Sequence, residues 1–373
     1  MVTAGVPTTA VIAGFGSACP ESVTQDALWD GYFHARVPAG RAAVARQIFT
    51  GSGVRRRHAV VNPLVEDVSG WSTGQRMTRY LAAAVPLGTR AVAAALEAAG
   101  VDPGEVGQLI VVSCTGYATP GLDIALARDL RLPADAHRLV VGHMGCYAAI
   151  PALGVAMDFV RSRGQVSVVL CCELTSLHAQ PPSRELDQVV AHALFSDAAA
   201  AVVVRPEPAP GAAPEPTPGG LAAGRLEIVD LVVRTEPAHA DKMTWDVTDL
   251  GFRMGLSAAV PDVLADCVGP LVEQLLARSG VTRSAVESWA VHPGGPRILE
   301  VAADRLGLAA GALDSSWRVL AEHGNCSSPT VLLVLDEELS RRPPAPGSWL
   351  VALAFGPGLT LAAMLLRARP CGG

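Results

Sequence analysis

Three residues of this 373-residue chain have types and settings that could do chemistry together: Cys146, His292 and Asn325. Cys146 follows Gly145 and opens the helix-like run Tyr147-Ala148-Ala149-Ile150. A thiol at a helix N-terminus faces unsatisfied N–H groups and the positive end of the dipole, which lower its pKa and favour thiolate. The position suits a buried structural cysteine as well. His292 ends a strand-like stretch and precedes Pro293-Gly294-Gly295-Pro296, where the backbone can turn sharply and approach a ligand closely. An imidazole there can pair with a thiolate, donate to a carbonyl oxygen, or simply hydrogen-bond within its loop. Asn325 lies in Gly324-Asn325-Cys326-Ser327-Ser328, ahead of the apolar run Val331 to Leu335. Its amide could donate to a developing oxyanion or cap a helix.

The elements that must position these residues alternate between strand and helix. Val11 to Gly16, Gln108 to Ser113 and Val166 to Cys172 are short apolar runs suited to strands buried on both faces. Leu81 to Ala99 and Ala148 to Arg163 read as helices between them. Residues 206–224 carry six prolines and four glycines and read as a linker or exposed loop. The same order then returns, with a strand at Leu226 to Val233, a helix at Val260 to Ser279 and a strand at Ser288 to His292. His143-Met144-Gly145-Cys146 and His323-Gly324-Asn325-Cys326 each open a helix, 180 positions apart. The strand ends Val112 to Gly116 and Val291 to Gly295 match at an offset of 179. The spacing predicts a duplicated α/β protein, divided here into residues 1–224 and 225–373.

Composition excludes several functional classes. Half the residues are hydrophobic and 17% are charged, so the chain is not a disordered or acidic-tail protein. A net charge of −6 argues against nucleic acid as the main partner. Met1 to Gly16 lacks the charged region and cleavage site of a signal peptide. The apolar run Trp349 to Leu366 is long enough to span a bilayer, but Gly356-Pro357-Gly358 splits it into two strands and a turn. The eight cysteines show no CxxC pair and no zinc spacing, which predicts free thiols and a cytoplasmic setting. Adjacent Cys171 and Cys172 read as core residues, since adjacent cysteines rarely form a disulfide. Gly14-Phe15-Gly16 lacks the third glycine of a dinucleotide loop and is not read as one.

Five segments together carry a resemblance that none carries alone. They are Gly145-Cys146-Tyr147-Ala148, Ala193-Leu194-Phe195-Ser196-Asp197, His292 to Pro296, Gly324 to Ser328, and Phe355-Gly356-Pro357-Gly358-Leu359-Thr360. In order and spacing the chain resembles the thiolase superfamily, and within it the type III polyketide synthases. Thr244-Trp245-Asp246-Val247 and Gly251-Phe252-Arg253-Met254 resemble the bacterial alkylpyrone and alkylresorcinol synthases. The resemblance implies a five-layered αβαβα sandwich of two similar halves, normally a homodimer. It implies a Cys146–His292–Asn325 triad, with Phe195 as a gatekeeping residue. The Thr119-Pro120-Gly121 segment resembles a family loop that carries a cis proline and reaches across the dimer.

The implied chemistry loads an acyl-CoA starter on Cys146 and extends it with malonyl-CoA by decarboxylative Claisen condensation. CoA thioesters are then substrates, and no metal or redox cofactor is required. Cys114, Trp245, Met254, Thr119 and Ser327 join Phe195 as substrate-binding candidates, and His178 lies near another cavity position. Trp245, where plant relatives carry glycine, would shrink the usual cavity or redirect an acyl chain into another tunnel. Met254 replaces a second gatekeeping phenylalanine and suits varied apolar groups. Core filling is the alternative for both. Arg46, Arg55, Arg56 and Arg57 are candidates for CoA phosphates or for a solvated basic patch. The implied products are alkylpyrones or alkylresorcinols. The alternative is a small dihydroxy-aromatic acid, or its CoA thioester, from a short or malonyl starter.

Overall fold

A computed structural model describes residues 8–181, 185–208 and 225–370 of the chain. The first half contains β1 (Thr8–Ala18), β2 (Ser22–Thr24), α1 (Gln25–Leu28), α2 (Ala42–Gly51), β3 (Arg56–His58) and α3 (Thr73–Ala99). It continues with β4 (Val106–Ser113), α4 (Leu122–Asp129), β5 (His137–Gly142), α5 (Ala149–Arg163), β6 (Val166–Leu174), α6 (Leu186–Leu194) and β7 (Asp197–Pro208). The second half contains β8 (Arg225–Thr235), β9 (Met243–Thr248), β10 (Gly251–Leu256), α7 (Val260–Arg278) and β11 (Val286–Val291). After these come α8 (Pro296–Leu306), α9 (Asp314–His323), α10 (Pro329–Arg341), β12 (Trp349–Gly356) and β13 (Thr360–Arg369). Most of the stretch 206–224, and the half boundary placed at its end, fall outside the described residues.

Nine strands form one sheet in the order β11-β12-β13-β8-β1-β7-β6-β4-β5. Its two halves mirror each other about the β1–β8 seam. On one side β4 runs parallel to β6, and β6 and β7 are antiparallel. On the other, β11 runs parallel to β12, and β12 and β13 are antiparallel. The seam itself is short, pairing only Val11 with Glu227 and Ile12 with Leu226. The central helices α5 and α10 pack against strands of both halves, while α3 covers β1, β6 and β7 and α7 covers β8 and β13. This gives the five layers expected. The repeat is visible in the elements too, since α5 starts at Ala149 and α10 at Pro329, again 180 positions apart.

Strand periodicity sorts side chains between layers. Along β12, Leu350, Ala352 and Ala354 join the core around α5 and α10, whereas Val351, Leu353 and Phe355 join the core around α7 and α8. A strand buried on both faces needs apolar residues at every position, which is why it reads as a continuous run. The same alternation turns Cys171 to the central layer and Cys172 to the outer one. All seven described cysteines are free. Gly14 and Gly16 serve packing: a Cβ at either would collide with α3 backbone at Ala95 or Ala91.

The helix expected from Leu81 begins at Thr73. Ser72 and Gln75 form a capping box, with each side chain bonded to the other residue's N–H. By length and composition α3 is apolar enough to cross a membrane, but in this fold it is a core helix against the sheet. The apolar run from Trp349 becomes β12, a Gly-Pro-Gly turn and β13, as its sequence indicated.

Candidate active site

The N-terminal ends of α5 and α10 bring Cys146 and Asn325 together. Cys146 sits in the single 3-10 turn Gly145–Tyr147 that leads into α5. Gly145 holds φ at +78°, and a Cβ there would lie 2.7 Å from Pro357 Cδ, so the β12–β13 turn fits only against glycine. Asn325 comes four residues before α10, whose N-cap is Ser328, so the asparagine does not cap that helix. Its Oδ1 instead accepts the Ser327 N–H at 2.8 Å and lies 4.0 Å from Cys146 Sγ. That bond fixes the amide plane and leaves the Nδ2 hydrogens as its donors for a ligand. The Asn325 backbone is held from both sides, its N–H donating to Leu194 O and its C=O accepting from Ser196 N. These two bonds clamp it beside Phe195.

Cys146, His292 and Asn325 line one cavity of about 530 Å³, with Phe195, Met254 and Phe355 among its apolar walls. His292 directly follows β11, and its backbone N–H donates to Leu353 O at 2.8 Å. Its ring is 1% exposed, yet neither Nδ1 nor Nε2 has a hydrogen-bond partner. Buried polar groups are nearly always paired, so this imidazole keeps its full bonding capacity for something the cavity admits.

The residues read as cavity-lining fall into two groups. Trp245 on β9 pairs directly with Met254 on β10, so the hairpin presents both from one face. Trp245 Nε1 donates to Cys114 O at 2.7 Å. His178 locks the wall behind it, with Nε2 bonded to Thr115 O at 2.6 Å and Nδ1 accepting the Phe252 N–H at 2.9 Å. Cys114 Sγ lies 3.5 Å from Ser327 Oγ. Cys114, Trp245, Met254, Phe195 and Ser327 surround a recess of about 20 Å³ beside Cys146. Beyond Phe195 and Trp245 lies a further apolar recess of about 80 Å³, walled by Tyr32, Phe33, Val61 and Val68. Thr119 stands apart: it is exposed on the loop after β4, in a cis bond to Pro120, and does not line these cavities.

Of the four arginines considered for CoA, three are exposed in surface ion pairs and one is buried. Arg46 pairs with Asp26 at 3.0 Å, and Arg55 and Arg56 both pair with Glu322. Arg57 is buried and donates to the carbonyls of His192 and Phe195. The arginine on the rim of the 530 Å³ cavity is Arg297, which pairs on the surface with Glu300 at 3.1 Å.

Glu173, which the sequence reading passed over, organises the wall opposite the hairpin. It is fully buried at the end of β6. It accepts from Cys114 N–H at 2.9 Å, Thr115 Oγ1 at 2.7 Å and Ser328 Oγ at 2.8 Å. Burial pushes its pKa up, and these donors oppose the shift. Its one sequence signal is an acid closing an otherwise apolar strand.

The expected depression of the Cys146 pKa is not what this setting produces. Burial pushes the thiol up to about 11, outweighing the Ser327 hydroxyl that favours thiolate. Burial likewise pushes His292 down to about 3. A single 3-10 turn enclosed by apolar walls does not offset the loss of water. In the ligand-free protein both groups are therefore neutral near pH 7. Iodoacetamide alkylation of Cys146, followed by peptide mass spectrometry, should accelerate with pH toward about 11. A rate that levels off at neutral pH would instead reveal a preformed thiolate.

Comparison with known proteins matches this architecture to one family. The family model for the chalcone and stilbene synthase N-terminal domain matches residues 3–208, and that for the C-terminal domain matches residues 229–370. A 1,3,6,8-tetrahydroxynaphthalene synthase of Streptomyces peucetius subsp. caesius is 36% identical over 335 residues, covering 88% of this chain and 85% of that protein. The alpha-pyrone synthesis polyketide synthase-like Pks18 of Mycobacterium tuberculosis is 32% identical over 370 residues, covering 96% and 91%. The crystal structure of PKS-I from the brown alga Ectocarpus siliculosus superposes with a TM-score of 0.88 at 28% identity, covering 98% of this chain and all of that one. The chain belongs to the chalcone and stilbene synthase family: it is a type III polyketide synthase, a malonyl-CoA-dependent condensing enzyme.

Proposed function

We propose that Cys146 is the nucleophile, His292 its proton acceptor, and His292 and Asn325 the oxyanion donors of a decarboxylative Claisen condensation. The observation that carries this reading is the buried, unpartnered His292 imidazole in the same apolar cavity as Cys146 and Asn325. The Cys146 proton passes to His292 as sulfur adds to the starter thioester, and CoA thiolate leaves with that proton. Malonyl-CoA then occupies the cavity with its thioester oxygen toward His292 and Asn325. Loss of CO₂ leaves an enolate whose charge those donors stabilise. The enolate carbon attacks the acyl-Cys146 carbonyl and expels the Cys146 thiolate. Phe195, clamped to Asn325 by backbone, orients the malonyl group and excludes water. CoA thioesters are the substrates, Arg297 is the cation at the mouth for CoA phosphate, and no resident metal or redox cofactor takes part.

The product follows from where the acyl tail goes. The apolar recess behind Phe195 and Trp245 suits an aliphatic tail, which supports an acyl starter and an alkylpyrone or alkylresorcinol-type product. Pks18, named for alpha-pyrone synthesis, is a relative consistent with that. A second reading rests on Trp245. Its hydrogen-bonded indole leaves only about 20 Å³ beside Cys146, which favours a short or malonyl starter and a small dihydroxy-aromatic acid or CoA thioester. The tetrahydroxynaphthalene synthase is the relative on that side.

We also propose that the enzyme is a cytoplasmic homodimer. Free thiols fit a reducing compartment. The edge strand β5 exposes Leu139 and Val140, the latter by 54%, and an unpaired apolar edge is a template for pairing. In a dimer, Thr119 would reach the site of the second copy.

Three measurements test these proposals. Asn325→Ala should slow malonyl-CoA decarboxylation roughly 100- to 1000-fold, the usual effect of losing one oxyanion donor. A wild-type rate in that variant would remove Asn325 from the mechanism. Starters from acetyl-CoA to stearoyl-CoA, offered with malonyl-CoA and read by mass spectrometry, should give pyrones or resorcinols that Cys146→Ala does not make. Product from malonyl-CoA alone, with long starters ignored, would select the small-aromatic reading. Light scattering should report about twice the 38.5 kDa chain mass, and a monomer at micromolar concentration would refute the dimer.

A further inference from the structure

Away from the condensing site, three residues distant in sequence converge: Cys19 just after β1, His58 at the end of β3, and His323 at the end of α9. One donor atom from each lies within 4.8 Å of the other two. Cys19 Sγ is 3.8 Å from His323 Nδ1. A tetrahedral zinc ion, with Zn–S near 2.3 Å and Zn–N near 2.0–2.1 Å, holds its sulfur and nitrogen about 3.6 Å apart. The pair is thus already spaced for a shared cation. The rings of His58 and His323 stack at 5.1 Å. His58 Nδ1 is bonded to Pro20 O at 2.8 Å. Metal-binding histidines commonly donate one ring N–H to a carbonyl, which fixes the tautomer and here leaves Nε2 to bind.

We propose that Cys19, His58 and His323 form a site for Zn²⁺ or a similar borderline-soft divalent cation. One thiolate and two imidazoles suit that class, and would hold neither Mg²⁺ nor Ca²⁺, which want oxygen. All three residues are partly exposed, so the cation can arrive from solution and keep a water as fourth ligand. Binding releases the Cys19 proton to solvent. None of the three residues lines the 530 Å³ cavity of Cys146, and His58 alone also borders the 80 Å³ recess behind Phe195. The backbone neighbours of the three are those of the condensing site: His58 N–H donates to Ser196 Oγ at 2.8 Å, and His323 lies two positions before Asn325. A bound ion would therefore brace the segment that clamps Phe195 beside Asn325.

Cobalt(II) titration of the purified full-length protein tests this directly, because a Co²⁺–thiolate bond gives a charge-transfer absorption that carboxylate and imidazole sites lack. One equivalent of Co²⁺ should saturate that band in the wild type and in Cys146→Ala, and Zn²⁺ should displace it. Cys19→Ser should abolish the band, and His323→Gln should weaken binding at least about tenfold. Thermal melting without metal checks that both variants fold. No thiolate band in the wild type overturns the proposal whatever the variants do, and so does a band that survives in Cys19→Ser or vanishes in Cys146→Ala.

Discussion

A carboxyl group with no access to water ties the two halves of this enzyme together. Glu173 ends β6 in the first half and receives Ser328 Oγ from the start of α10 in the second, along with Cys114 N–H and Thr115 Oγ1. Burying such a group is costly unless its oxygens are occupied, and here each has donors. Leaving any one of those donors unpaired would cost about 1–3 kcal/mol. The two segments that reach it carry Cys114 on one side and Asn325 with Ser327 on the other. Their mutual placement is therefore set by one acceptor rather than by two independent loops.

Around that acceptor the layered fold supplies rigidity. The first turns of α5 and α10 are apolar and buried, and their charged residues gather toward the C-terminal ends. Each is pressed between sheet halves, and their N-terminal ends deliver Cys146 and Asn325 to one cavity. Apolar burial keeps water out and also holds Cys146 and His292 neutral. The charge separation that chemistry needs is thus deferred until a thioester arrives.

Much of this was legible from residue types. Strands buried on both faces read as unbroken apolar runs, and the 180-residue echo between Cys146 and Cys326 exposed the duplication. The Cys, His and Asn motifs pointed to residues that do line one cavity. What could not be read depends on packing. The thiol pKa was expected from helix position alone, whereas its sign is set by how much water the walls exclude. Arg46, Arg55 and Arg56 look free in sequence because their carboxylate partners, Asp26 and Glu322, are distant or local only in space. The start of α3 was missed although the Ser72–Gln75 pair was present. Glu173 was missed because a single acid after Cys172 has no spacing to mark it. The cavity volumes depend on the Trp245 rotamer, fixed by a carbonyl 131 positions away.

The β9–β10 hairpin has a consequence for how such an enzyme diversifies. It is a two-stranded ribbon outside the nine-stranded sheet, yet it supplies both Trp245 and Met254 to the cavity wall. A substitution at Met254 reshapes the space beside Cys146, whereas one at Trp245 also frees the Cys114 carbonyl just after β4. Cys146 and Asn325 sit at the buried ends of the central helices, while Trp245 and Met254 sit on a ribbon outside the main sheet. Such a division lets the space beside Cys146 change through two facing positions while the nine-stranded sheet keeps its own pairing.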